Sequence, residues 1–181
     1  MPRLNVVEPS EATGKAKELF EGPLKSMQLN IFKGMANSPA VLNAYVQLTG
    51  TLSDTVSLGA KERELVQIAV SELNGCNYCQ GAHTMLGKNA GLSEDQTIAA
   101  RKGESTGDAK LDGLVRFART LHEKRGFVSD SDLDEFRSAG WDDAAVAEVV
   151  AVYAAITFTN FFNHVNETDV DVPAAPALAG V

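Results

Sequence analysis

Between Ala40 and Val172 the chain has no proline, a stretch of 133 consecutive residues rich in Ala, Leu, Glu and Lys. Pro2, Pro9, Pro23 and Pro39 lie before it, and Pro173 and Pro176 after it. A sheet protein needs turns, and turns draw on proline, whereas helix interiors exclude it. The stretch therefore predicts a succession of helices. Ser38-Pro39 reads as an N-cap with a first-turn proline, opening a helix to about Leu52. Ser57 is expected to open the next, which runs through KERELVQIAVSEL and stops at Asn74-Gly75. A third begins at Cys76 and ends at Asn89-Ala90-Gly91, and Ser93 with Gln96 forms a capping box for a fourth, to about Lys102. Leu111, Leu114, Val115, Ala118 and Leu121 recur at helical spacing in a fifth, which ends near Arg125-Gly126. A short helix over about Ser131 to Ser138 precedes the last, about Asp143 to His164, which is apolar on nearly every side. No alternating run is long enough for a sheet, so the expected class is all-α.

The charge balance narrows the function. With 16 basic and 24 acidic side chains, a formal charge of −8 and a pI near 4.9, the chain lacks the clustered Lys/Arg that phosphate binding needs, and nucleic acid is not an expected partner. A membrane partner is not expected either, since the longest apolar run, Ala144 to Phe158, falls short of a span and is interrupted by Glu148. Glu148 itself calls for a partner, for which an arginine is the first candidate. The opening MPRLNVVEPSEATGK has no apolar core of a signal peptide, so the expected location is cytoplasmic, where two cysteines do not form a structural staple.

Those cysteines, Cys76 and Cys79, are three residues apart at the start of a helix. Unpaired N–H groups and the positive end of the helix dipole there favour thiolate over thiol, and the i, i+3 spacing allows a disulfide. His83 is i+4 from Cys79, hence on the same face. A thiolate, a second thiol and an imidazole on one stripe are the parts of a dithiol redox centre, the imidazole taking the proton of Cys79 or passing one to a leaving oxygen. A carboxylate of the preceding helix can orient that imidazole. Glu62, Glu64 and Glu72 are the candidates, and spacing does not choose between Glu64 and Glu72. A zinc site would need His122 or His164 to arrive through the fold. His164 is equally placed to cap its own helix, and Trp141 to anchor the last helix.

Glu64, eleven residues, Cys76-Asn77-Tyr78-Cys79, three residues and His83 together resemble the AhpD-like alkylhydroperoxidases of the carboxymuconolactone decarboxylase superfamily. The likeness is clearest over about Leu58 to Leu92. It extends more loosely over about Asn30 to Asn166, where FTNFFNHVN looks like the peroxidase-related members. The resemblance implies an AhpD-like orthogonal helical bundle with an N-terminal helical extension: an arm and helix over 1–29, the helical domain with the CxxC site over 30–166, and a loose tail over 167–181. It further implies a homo-oligomer (dimer, trimer or hexamer) and a peroxidase that uses no cofactor and no metal. In that cycle Cys79 attacks hydrogen peroxide or an organic hydroperoxide and becomes a sulfenic acid. Cys76 resolves it as a disulfide, Glu64 and His83 relay protons, and an external thiol reductant, lipoylated or thioredoxin-like, reopens the disulfide. One position departs from the pattern: characterised alkylhydroperoxidases often carry His where this chain has Tyr78. The competing readings are a decarboxylase acting on a lactone acid, which needs no dithiol, and a non-enzymatic redox sensor or disulfide carrier.

Overall fold

The structure, a computed structural model, describes residues 1–178. Among them are nine helices and no strand: α1 Gly14–Glu21, α2 Asn30–Met35, α3 Pro39–Asp54, α4 Ala60–Leu73, α5 Asn77–Asn89, α6 Glu94–Lys102, α7 Ala109–Glu123, α8 Asp130–Ser138 and α9 Asp143–Asn166. The all-α expectation holds, and α1 is the helix that lies within residues 1–29. Pro39 occupies the first turn of α3, and the Ser93/Gln96 capping box opens α6 as read from sequence. A second capping box, Ser129 with Asp132, starts α8 at Asp130, one residue before the expected position.

Helix α4 is the centre of the molecule, and α5, α6, α7 and α9 all pack on it. Leu65, Ile68 and Ala69 join Leu92, Ala100, Leu111 and Val115 in one cluster, while Val66 and Val70 belong to the larger core shared with α1, α2, α3 and α9. A helix that buries two faces supports two packing layers at once, which is why its apolar residues are nearly continuous. Ser57 does not cap α4; its N-cap is Gly59. The Ser57 amide and hydroxyl instead donate to Glu148 of α9, at 2.8 and 2.9 Å, and the Leu58 amide donates to the same carboxylate at 3.0 Å. Glu148 thus finds backbone and hydroxyl donors in place of the arginine expected from sequence.

Helix α9 runs 24 residues, longer than the apolar run Ala144 to Phe158 read from sequence, and by length and composition alone it is long and apolar enough to cross a membrane. Its inner stripe, with Val149, Val152, Ala155 and Ile156, is buried in the core. Val150, Phe158, Phe161 and Val165 remain exposed on its outer side. Trp141 anchors the start of α9, stacking on Phe136 and donating from Nε1 to the Lys110 carbonyl at 2.9 Å.

The tail is not loose over the described residues. Asp171 accepts from the Tyr78 hydroxyl at 2.5 Å and from the Asn30 amide at 2.8 Å, and the Pro176 carbonyl accepts from Arg101 at 2.5 Å. The chain crosses α5 so closely that a Cβ on Gly81 would lie 2.3 Å from the Pro173 carbonyl oxygen. Residues 179–181 of the expected tail lie outside the described residues.

Candidate active site

The turn between α4 and α5 sets both cysteines. Asn74 caps α4, and Gly75 follows in the left-handed region at φ +68. The Gly75 amide donates to the Glu72 carbonyl at 3.0 Å and the Cys76 amide to the Ser71 carbonyl at 2.9 Å, the paired bonds of a Schellman motif. Only glycine takes that φ without cost, and the residue after it is delivered as the N-cap of α5. Asn74-Gly75-Cys76 therefore ends one helix and starts the next with no spare residue. Cys76 and Cys79 are both free thiols, 1% and 2% exposed.

The sulfurs are coupled to each other. A hydrogen bond from Cys79, opposed by burial and reinforced by the Cys79 amide and His164, lowers the Cys76 thiol to about 6. The same hydrogen bond and burial push Cys79 up. The two thiols therefore titrate as a pair, with Cys76, at the helix N-cap, the more acidic and Cys79 the less acidic, the reverse of what the first-turn position of Cys79 suggests. The Thr159 hydroxyl donates to the Ile156 carbonyl at 2.9 Å and is therefore not a donor to the Cys79 sulfur, 3.9 Å away.

The two carboxylates left open by spacing separate in the fold. Eight residues turn a helix by two revolutions and about 80° more. Glu72 accordingly faces α6 and accepts from Arg101 Nε at 2.7 Å. Glu64 faces α5, where its Oε2 sits 2.7 Å from His83 Nδ1 and its Oε1 accepts from Gln67 at 3.2 Å. Of the other histidines, His122 contacts the Tyr153 hydroxyl at 3.1 Å, and exposed His164 packs against Phe161. Among the described residues no three His, Cys, Asp or Glu side chains are grouped to hold a metal ion.

Cys79, His83 and Glu64 line one cavity of about 380 Å³; Cys76 does not. Its far wall is apolar and comes from the α1–α2 connection (Leu24, Met27, Leu29) and from α3 and α9 (Val46, Val152). Tyr45 and Tyr78 also line it, and both phenols are held protonated: burial pushes each up, with Cys79 and Glu64 adding to it at Tyr45 and Asp171 at Tyr78.

Sequence reasoning missed the polar stripe of α9. Asn163, 5% exposed, donates from Nδ2 to Cys79 Sγ at 3.2 Å and reaches Cys76 Sγ at 4.0 Å. Asn160 accepts from Asn74 at 2.8 Å and donates to Ser71 at 3.3 Å, tying α9 to the Schellman turn. The signal was present as Thr159, Asn160 and Asn163 on the inner side of an otherwise apolar helix.

Residues 39–119 match the carboxymuconolactone decarboxylase family. An alkyl hydroperoxide reductase AhpD of Mycobacteroides abscessus is 46% identical over 41 residues, which span 23% of this chain and 23% of that relative. A peroxidase-related protein from Ralstonia eutropha JMP134, described as an alkylhydroperoxidase AhpD core, superposes with a TM-score of 0.83 at 18% identity, covering 94% of this chain and 92% of that one. A peroxidase-related protein from Silicibacter sp. TM1040 gives 0.76 at 22% identity, covering 92% and 89%. A debrominase variant in complex with 2,3,4-tribromopyrrole gives 0.75 at 16% identity, covering 94% of each chain.

Proposed function

The chain carries a carboxymuconolactone decarboxylase family domain at residues 39–119 on the AhpD-like helical fold, and on that premise we propose that it is a thiol-dependent peroxidase cycling Cys76 and Cys79 between dithiol and disulfide. The observation that carries this reading is the Glu64–His83 pair at 2.7 Å opening onto the same cavity as Cys79. Cys79 is the peroxidatic sulfur because it, and not Cys76, lines that cavity. Its proton passes to Cys76, the resting thiolate, and Cys79 attacks the terminal oxygen of a hydroperoxide. The O–O bond breaks, Cys79 becomes a sulfenic acid, and the alkoxide takes a proton from the His83–Glu64 pair. Cys76 then attacks the Cys79 sulfur, the S–O bond breaks, and hydroxide leaves as water with the Cys76 proton. With the proton given up by the resting thiolate counted as the one that the His83–Glu64 pair passes to the alkoxide, two thiols and one hydroperoxide yield one disulfide, one alcohol and one water. An external thiol donor, lipoylated or thioredoxin-like, restores the dithiol in a reducing compartment such as the cytoplasm. The exposed apolar side of α9 supports a homo-oligomer.

A second reading is reductive dehalogenation, favoured by a cavity far larger than hydrogen peroxide needs and mostly apolar in its walls. There the same dithiol reduces a carbon–bromine bond to carbon–hydrogen, with release of bromide and a proton.

The test is intact mass and free-thiol count before and after one equivalent of cumene hydroperoxide, on wild type, Cys76→Ser and Cys79→Ser. The expected result is loss of two thiols as an internal disulfide in wild type, and a gain of about 16 Da, the sulfenic oxygen, in Cys76→Ser. Thiols that stay reduced overturn the peroxidase, and bromide release from tribromopyrrole under the same conditions favours the second reading.

A further inference from the structure

Asn163 lies in the last third of α9, one turn beyond Thr159, and is nearly fully buried against the two sulfurs. Its Nδ2 is 3.2 Å from Cys79 Sγ and 4.0 Å from Cys76 Sγ, so one donor stands within reach of both. Its Oδ1 is buried and has no hydrogen-bond partner among the described residues. A buried amide oxygen left unpaired bears the full cost of desolvation. A packing residue would avoid that cost, whereas a group that meets its partner only during turnover incurs it in the resting state.

Both sulfurs change in the cycle, and each change creates a group that one end of this amide fits. In the reduced state the pair carries one negative charge, which a donor stabilises whichever sulfur holds it. When Cys79 acquires an oxygen, a new O–H appears beside an amide whose Nδ2 already touches that sulfur, and Oδ1 is the adjacent free acceptor. Thr159 and Asn160 do not compete for this task, since the former donates to the Ile156 carbonyl and the latter bridges Asn74 and Ser71.

We infer that Asn163 is a further catalytic residue: its Nδ2 steadies the thiolate of the Cys76/Cys79 pair, and its Oδ1 accepts the O–H of the Cys79 sulfenic acid and holds that group for attack by Cys76. The inference rests on the peroxidase reading for its second half. With the sulfenic O–H held by Oδ1, Cys76 Sγ meets the Cys79 sulfur, an S–S bond replaces the S–O bond, and water departs. The oxidant is the hydroperoxide already named, and no other co-reactant enters.

The test uses the full chain with both cysteines present. Asn163→Leu keeps side-chain size and removes donor and acceptor together; Asn163→Asp keeps an acceptor and replaces the donor with a negative charge. Two quantities are read: the thiolate absorbance midpoint of the reduced protein, and the fraction trapped by dimedone after one equivalent of cumene hydroperoxide. In the leucine variant the midpoint rises by about one unit, and disulfide formation slows about tenfold, so that the dimedone adduct grows at the disulfide's expense. In the aspartate variant the midpoint rises further, while the adduct stays near the wild-type level. A folded leucine variant with wild-type midpoint and wild-type adduct overturns the inference. If the leucine variant does not fold, an unmoved midpoint in the aspartate variant overturns it equally. Failure of the peroxidase reading looks different: wild-type thiols do not respond to hydroperoxide, and the thiolate midpoint alone then upholds or removes the role of Nδ2.

Discussion

Glu64 Oε2 and His83 Nδ1 stand 2.7 Å apart across the α4–α5 packing, and the other oxygen of the carboxylate is held by Gln67. The contact fixes the imidazole ring and leaves Nε2 as its remaining nitrogen for proton exchange. Glu64→Gln preserves size and removes the charge that orients the ring. Peroxide turnover should fall about tenfold to a hundredfold, the lower range for loss of a proton-transfer partner, with the melting temperature close to wild type. An unchanged rate would show that His83 needs no carboxylate.

The opposite shifts of the two cysteines give a pH signature. The Cys76 thiol is lowered from 9.0 to about 6 while Cys79 is raised, so one thiolate per chain should appear in the ultraviolet with a midpoint near 6. The second should stay absent through the ordinary thiol range, because burial and the hydrogen bond to Cys76 push Cys79 up. Stability follows with a definite sign. From about pH 6 to the thiol range near 8.5 the unfolded chain binds one more proton than the folded one, so stability rises with pH, by up to about 1.4 kcal/mol per unit. This contribution is lost as pH falls through 6. Denaturant midpoints across that window check it, and Cys76→Ser should flatten the rise.

Most helices were legible because their signals are local: the Pro39 start, the Ser93/Gln96 box, and the Asn74-Gly75 stop that also delivers Cys76. The cysteine–histidine stripe was legible for the same reason, since i+3 and i+4 neighbours meet on any helix. What stayed hidden depends on contacts distant in sequence. Glu64 and Glu72 differ by rotation about α4, and only the placement of α5 and α6 shows which faces His83 and which faces Arg101. The lowering of Cys76 and raising of Cys79 depend on their hydrogen bond and burial. The tail looked loose because Tyr78, Gly81 and Arg101, which hold it, lie on helices far earlier in the chain.

That tail makes Tyr78 a fastening point. Its hydroxyl donates to Asp171, which also accepts from the Asn30 amide at the start of α2. Burial and the Asp171 carboxylate push the phenol up, so Tyr78 stays protonated and does not supply the imidazole common at this position in characterised alkylhydroperoxidases. Tyr78→Phe keeps the ring and removes one hydrogen bond to a carboxylate, costing about 1–2 kcal/mol, or roughly 2–8 °C in melting temperature for a chain of this size. The expected companion is faster proteolysis of the tail with the Glu64–His83 pair undisturbed. A melting temperature equal to wild type would mean that Pro173 and Pro176 hold the tail without Asp171.

Glu148 joins α9 to the loop that enters α4, the two helices that carry Asn163 and Glu64. Its carboxylate accepts three hydrogen bonds, two from backbone amides and one from the Ser57 hydroxyl, and Leu58 beside it is fully buried. Amides that lose a charged acceptor must find water or remain unpaired, so Glu148→Ala should cost about 1–3 kcal/mol. Glu148→Gln retains one acceptor oxygen but turns an NH2 group toward a donor, and should fall between alanine and wild type. Ser57→Ala removes only the exposed hydroxyl bond and should cost well under half of the alanine value. Urea denaturation with an unchanged m-value would read the order Ser57→Ala, Glu148→Gln, Glu148→Ala in increasing cost. Equal costs for the two glutamate variants would instead assign the effect to the negative charge, and the loop amides would then count for little in holding α4 against α9.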